Sequence, residues 1–286
     1  MITMVKRILI NELIVQTTDD VAYDFIEFAK VNRYGIEITS FALPWILDGD
    51  WKPVLQSYRL ALKDFKNEVA IHGAFMDVIT ASRDAKMVHV ARERILQNIE
   101  IAKQLGGKIA TFCSCFNPRI AKSSPGYVDG YKRRQIEFWT EIAELADGDF
   151  LLVFENLWEP QPELARDLLD GVNSENFKAL LDIGHVNVFS KVSIERWVEI
   201  LAEHLLYVHL NDNRGDFDSN LAPGEGSIKW DDFFDALERY GLKPRICLEV
   251  EAYGNYSKLE NIKRAIEYLK QMKFYPFFLV RSKSDR

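Results

Sequence analysis

The chain has 286 residues, with 36 Lys and Arg against 43 Asp and Glu, for a net charge of −7. That balance repels nucleic acid and anionic membrane at long range, and the basic run Lys132-Arg133-Arg134 falls in a helical pattern as a solvated face. A chain this long buries a large core without disulfides or structural metal, so a bound metal would serve chemistry.

Hydrophobic residues at 48% and charged residues at 28% place the chain among ordinary globular enzymes. Cys113, Cys115 and Cys247 have no C-x-x-C spacing and read as buried strand thiols of a reducing compartment. No signal-peptide core and no apolar run of membrane-spanning length is visible, so the expected location is the cytoplasm.

In chain order, short apolar runs alternate with longer stretches of helical period. Strands are expected at Arg7–Glu12, Gly35–Ser40, Glu68–Ala74 and Lys108–Cys115, then at Phe150–Glu155, Phe177–Asp182, Leu205–Asp212 and Arg245–Glu251. Amphipathic helices are expected at Asp84–Leu105, Gly130–Ala146, Ser193–His204, Trp230–Tyr240 and Ser257–Met272. Gly106-Gly107 and Gly241 mark helix ends, while Ser193 and Ser257 suit N-caps. Eight strands, eight intervening helical segments and no linker predict an α/β fold, a single (β/α)8 TIM barrel over residues 1–286. A doubly wound open sheet would carry a glycine-rich phosphate turn after an early strand, which this sequence lacks. The apolar tail Phe274–Val280 is expected to cover barrel surface or a subunit contact.

Active sites of such barrels form at the C-terminal strand ends. Four successive runs end in a polar residue: Phe154-Glu155, Leu181-Asp182, Val208-His209 and Leu248-Glu249. A carboxylate behind an apolar run is costly to bury unless paired or metal-bound, and one alone is as well explained by a structural ion pair. Four in a row converge on half the barrel mouth and offer three carboxylates and one imidazole to one divalent cation. Without it, clustered carboxylates need raised pKa values, at about 1.4 kcal/mol per unit. Oxygen donors with one nitrogen favour Mn2+, with Mg2+, Co2+ or Zn2+ as alternatives.

These motifs resemble the xylose isomerase-like TIM barrel superfamily of sugar phosphate isomerases and epimerases, notably the ketose 3-epimerase group. The resemblance spans nearly the whole chain, through Gly35-Ile36-Glu37-Ile38, Ile71-His72-Gly73, Phe154-Glu155-Asn156, Asp182-Ile183-Gly184-His185, His209-Leu210-Asn211-Asp212, Pro223-Gly224-Glu225-Gly226 and Leu248-Glu249. It implies Glu155, Asp182, His209 and Glu249 as metal ligands, and His185 and Arg214 as grips on substrate hydroxyls. It also implies a small sugar or sugar-phosphate substrate. Members are often dimers or tetramers, so a homo-oligomer is compatible with it.

The expected chemistry is sugar isomerisation or epimerisation through an enediolate on a small ketose or related polyol. Glu155 and Glu249 are the expected catalytic pair, one removing a proton and the other returning one on the opposite face. An abasic-site endonuclease-like metallohydrolase is the alternative, but it needs further His and Asp ligands. The fourth run offers Cys113 where a His is expected, and Asp218-Ser219-Asn220 lacks one. A keto-inositol-type dehydratase shares the metal set and the first proton abstraction. A non-catalytic sugar binder would not require both glutamates. His72 reads equally as a substrate-binding pocket residue and as a hydrogen-bonded core histidine, and Glu37 as a structural acceptor inside the barrel. Phe75, Phe116 and Trp158 read equally as packing on a sugar face and as core or lid packing, and Glu251 as facing the helices, paired or solvated.

Overall fold

Runs of Ile, Val, Leu and Phe buried on both faces suit parallel strands. In the computed structural model, which describes residues 13–18, 21–146 and 148–272, they form eight. These are β1 (Leu13–Gln16), β2 (Gly35–Ile38), β3 (Val69–His72), β4 (Ile109–Cys113), β5 (Leu151–Glu155), β6 (Phe177–Asp182), β7 (Leu205–Leu210) and β8 (Arg245–Leu248). All neighbours pair in parallel, and β1 also pairs with β8, closing the barrel in sequence order.

The helices are α1 (Tyr23–Asn32), α2 (Pro44–Asp48), α3 (Lys52–Ala61), α4 (Ala85–Gln104), α5 (Pro118–Ser123) and α6 (Tyr127–Ala146). They continue with α7 (Glu163–Val172), α8 (Ile183–Phe189), α9 (Ile194–Leu201), α10 (Trp230–Arg239) and α11 (Lys258–Gln271). The described residues thus hold eleven α-helices rather than eight, because α2, α5 and α8 are short insertions after strands. Gly106 and Gly241 take positive φ, +76° and +67°, just past α4 and α10, a conformation that costs a side-chain residue strain. Ser257 completes a capping box with Glu260, whereas Ser193 holds the N-cap position of α9 without a side-chain cap bond.

The expected strand Arg7–Glu12 and the tail Phe274–Val280 lie outside the described residues; the barrel's first strand is Leu13–Gln16. Several expected strands overrun into the loops above the barrel, where polar side chains replace the ladder. Among these, Glu249 lies one residue beyond β8.

Side chains alternate inward and outward along each strand, so every second residue of a strand enters the barrel interior. Ile14, Ala70, Ile109, Val153, Leu180, Tyr207 and Cys247 form a buried apolar cluster of their own. Two residues further along six of these seven strands the side chains are Gln16, His72, Thr111, Glu155, Asp182 and His209, and Glu249 follows Cys247 at the same spacing. The barrel therefore has a greasy floor under a polar mouth. Outside it, Trp139, Trp197 and Trp230 are fully buried between barrel and helices.

The long connection from β7 to α10 is pinned by one buried carboxylate. Asp212 accepts hydrogen bonds from Asn213 N (2.9 Å), Gly224 N (2.9 Å), Ile228 N (3.2 Å) and Trp230 Nε1 (3.1 Å). Its backbone exchanges two 2.8 Å bonds with Leu221. Asp212→Ala strands these donors and should destabilise the protein by about 3 kcal/mol or more in urea unfolding. A loss below about 1 kcal/mol would show that the loop is held elsewhere.

Candidate functional site

The polar mouth brings Glu155, Asp182, His209 and Glu249 together. His209 Nδ1 lies 3.0 Å from Glu155 Oε1, 2.7 Å from Glu249 Oε2 and 3.8 Å from Asp182 Oδ2. One donor atom from each of the four falls within 4.8 Å of all the others. Glu155, Asp182 and His209 are buried, while the Glu249 side chain keeps 15% exposure and faces the opening. Two smaller donor groups, His72–Glu155–His209 and Glu37–His209–Cys247, share His209 with this set.

The ring of His209 is aimed from behind. Its Nε2 lies 3.2 Å from Glu37 Oε1, a carboxylate with no solvent exposure, so Nδ1 is left to the cluster. Asp182 caps α8, its Oδ1 accepting from His185 N at 2.7 Å, while Oδ2 accepts from Asn211 Nδ2 at 2.9 Å. Asn156 clamps the Asp182 backbone on both sides, at 2.8 and 3.1 Å. A Cβ at Gly184 would collide with Asn211, so glycine there lets α8 start beneath the asparagine that holds Asp182. Cys113 Sγ donates to Glu155 Oε2 at 2.7 Å, and Gln16 Nε2 donates to Glu249 Oε1 at 2.8 Å.

Burial and close approach set the charges. Burial pushes the Asp182 carboxyl well above its usual value; His185 opposes the shift while Glu249 and Glu155 add to it. Burial acts the same way on Glu155 and Glu249, but His209 overrides it and holds both below the usual carboxylate range. Burial would discharge His209, yet Glu249, Glu37 and Glu155 hold it well above the ordinary histidine value. For His72, burial is likewise outweighed by Glu155, then Glu37 and Glu249, and the pKa rises to about 9. The cluster lacks positive charge and recruits it from imidazoles. Three carboxylates and one imidazole nitrogen around a common point suit a divalent cation that would supply it.

Residues 16–272 match the family described as Xylose isomerase-like TIM barrel. The chain belongs to that family. An uncharacterized protein of Methanocaldococcus jannaschii is 24% identical over 222 residues, 74% of each chain. Among solved structures, a D-tagatose 3-epimerase-like protein superposes with a TM-score of 0.73 at 21% identity, covering 91% of this chain and 96% of its own. The IOLI protein with a bound zinc atom gives 0.72 at 18% identity, covering 90% and 95%. At these identities the structural likenesses establish the shared barrel.

Around the mouth of this xylose isomerase-like barrel, the other expected residues fall into two groups. His185 sits beside the cluster, its Nδ1 2.8 Å from Asn156 O and its Nε2 3.2 Å from Asp218 Oδ2. His72 fits both of its readings: Nδ1 lies 3.0 Å from Gly73 O, and Nε2 faces Glu155 Oε2 at 3.6 Å. Arg214 is exposed on the loop after β7 and is not brought to the four. A cavity of about 190 Å³ opens over the cluster, lined by Gln16, Thr39, His72, Phe75, Glu249 and Lys258. A larger one of about 570 Å³ shares Phe75 and is walled by Trp158 and Tyr127. Phe116 is buried against Tyr127 and Tyr131 as core. Glu251 lines the smaller cavity and pairs at 2.8 Å with Lys258 of α11, the helix-side partner expected for it.

Sequence reasoning missed Gln16 and Cys113 as contacts of the two glutamates. Period-two alternation would have flagged Gln16 had the first strand been placed at Leu13–Gln16.

In the metal-free protein the surrounding carboxylates raise the His209 pKa and favour its protonated form, and Nδ1 must shed a proton to ligate a cation. Apparent divalent-cation affinity should therefore strengthen as pH rises and weaken as it falls. Calorimetry in buffers of different ionisation enthalpy should read net proton release. Binding that is flat with pH and releases no proton would contradict this assignment.

Proposed function

We propose that this chain is a divalent-metal-dependent sugar isomerase or epimerase acting on a small ketose or related polyol. Glu155, Asp182, His209 and Glu249 would hold the ion, with Mn2+ favoured. The observation that carries this reading is the convergence of three carboxylate oxygens on His209 Nδ1 at the open end of the barrel. The D-tagatose 3-epimerase-like neighbour and the zinc atom of the IOLI structure support it.

When bound, the ion supplies Lewis-acid stabilisation of the charge that develops on an enediolate. The chain's own residues do the rest. Glu155 on β5 and Glu249 after β8 approach the site from different sides of the mouth. One removes the proton next to the carbonyl and the other returns a proton to the opposite face, which inverts that carbon. If a single glutamate moves the proton between adjacent carbons, the product is the aldose–ketose isomer. His72 and His185 flank the cluster and would grip substrate hydroxyls, His185 by giving up its 3.2 Å contact with Asp218, and Arg214 would reach in from its exposed place on the loop after β7.

An abasic-site endonuclease is disfavoured by the two missing ligands: Cys113 stands where a histidine is expected, and Asp218-Ser219-Asn220 contains none.

Glu155→Gln and Glu249→Gln should each lower turnover about 100- to 10,000-fold while the thermal midpoint stays near that of the wild type. Incorporation of solvent deuterium at the reacting carbon, read by mass on a panel of ketoses and aldoses, should fall in parallel. A near-normal rate in either variant would remove that residue from the acid–base pair.

A further inference from the structure

We propose that Gln16 and Cys113 are positioning residues that restrict Glu249 and Glu155 to one oxygen each toward the cation, leaving the other oxygen for the substrate proton. This rests on the reading of those glutamates as the acid–base pair. A carboxylate that chelates a cation through both oxygens has no basic oxygen left. An enzyme whose two proton-transfer groups are also its ligands must prevent chelation.

The geometry does this symmetrically. Glu155 turns Oε1 to His209 Nδ1 at 3.0 Å, and its Oε2 accepts the Cys113 thiol at 2.7 Å. Glu249 turns Oε2 to the same nitrogen at 2.7 Å, and its Oε1 accepts the Gln16 amide at 2.8 Å. In both cases the donor comes from the adjacent strand. Cys113 is the register partner of Glu155 across β4 and β5, and Gln16 follows Val15, the partner of Leu248.

Gln16 is held in this orientation. Lys258 Nζ lies 3.1 Å from Gln16 Oε1, so the amide nitrogen faces Glu249 and also reaches Glu37 at 3.2 Å. Lys258, buried at the first turn of α11, is fixed in turn by Glu251 at 2.8 Å. A carboxylate oxygen has two lone pairs, so the donor occupies one; the second stays for a proton at Glu249 Oε1, and at Glu155 Oε2 it is shared only with His72 Nε2 at the longer distance of 3.6 Å. Both donors are neutral and add no charge to the cluster.

A merely structural role makes a different prediction, because a lost donor would then weaken folding and cation binding together. The test uses the full-length protein loaded with Mn2+. Gln16→Met and Cys113→Ala delete a donor with little change of shape, and Cys113→Ser restores one. Each is measured for Mn2+ affinity by calorimetry and for kcat and KM on whichever of D-fructose, D-tagatose or D-allulose the wild type converts. The expected result is a fall in kcat of about 10- to 100-fold with KM nearly unchanged, the range typical of partners behind metal ligands. Mn2+ affinity should hold or tighten, since the released glutamate can add its second oxygen, and Cys113→Ser should recover most of the rate. Unchanged kcat in the donor-deleting variants overturns the inference, as does a loss of Mn2+ affinity that tracks the loss of rate. A wild type that neither binds Mn2+ nor converts a ketose overturns the underlying reading, and this inference with it. A wild type that does both, matched by its variants, overturns this inference alone.

Discussion

Three carboxylates crowded around one imidazole nitrogen inside a barrel form the contact on which the other polar interactions of this mouth depend. Charges buried this deeply are tolerated only when opposed and fully hydrogen-bonded. His209 opposes them directly, Glu37 steadies His209 from the far side, and His72 and His185 add positive character at the flanks. Asn156, Asn211, Gln16 and Cys113 supply donors to what remains. Removing the central imidazole would leave this set of neighbours mutually repulsive.

The barrel separates rigidity from chemistry along each strand. The apolar layer through Ile14, Val153, Leu180 and Tyr207 packs without polar obligations and fixes strand spacing. The next layer inherits that spacing, so side chains far apart in sequence meet within hydrogen-bonding distance. The β7 to α10 loop is organised separately around Asp212, whose four donors keep the rim in place beside the opening. Loop variation can then change what enters without disturbing the layer that holds charge.

The strand ends were legible because a buried acid after an apolar run has few physical explanations, and four in succession have fewer. Glu155, Asp182, His209 and Glu249 could be collected on that ground alone. The contacts of Gln16, 233 residues from Glu249, and of Lys258, 242 residues from Gln16, carry no local pattern. They follow from barrel closure, which brings the first and last strands side by side. Cys113 was visible as a strand thiol, but its role depends on register with Glu155 across β4 and β5. Arg214 lies in a loop without periodicity, and its exposure could be read only from coordinates. The short helices α2, α5 and α8 are too brief to show a helical period.

The seam between β1 and β8 has a temporal meaning as well as a spatial one. Gln16 emerges early from the ribosome, whereas Glu249 and Lys258 are among the last residues of the barrel to be made. Contacts spanning nearly the whole polypeptide form only after large loops close. A nascent chain therefore carries Glu155, Asp182 and His209 before the final acid and its amide tether exist. The four-residue cluster is complete only with the closed ring, so a chain truncated before β8 would lack both the closure and the fourth ligand position.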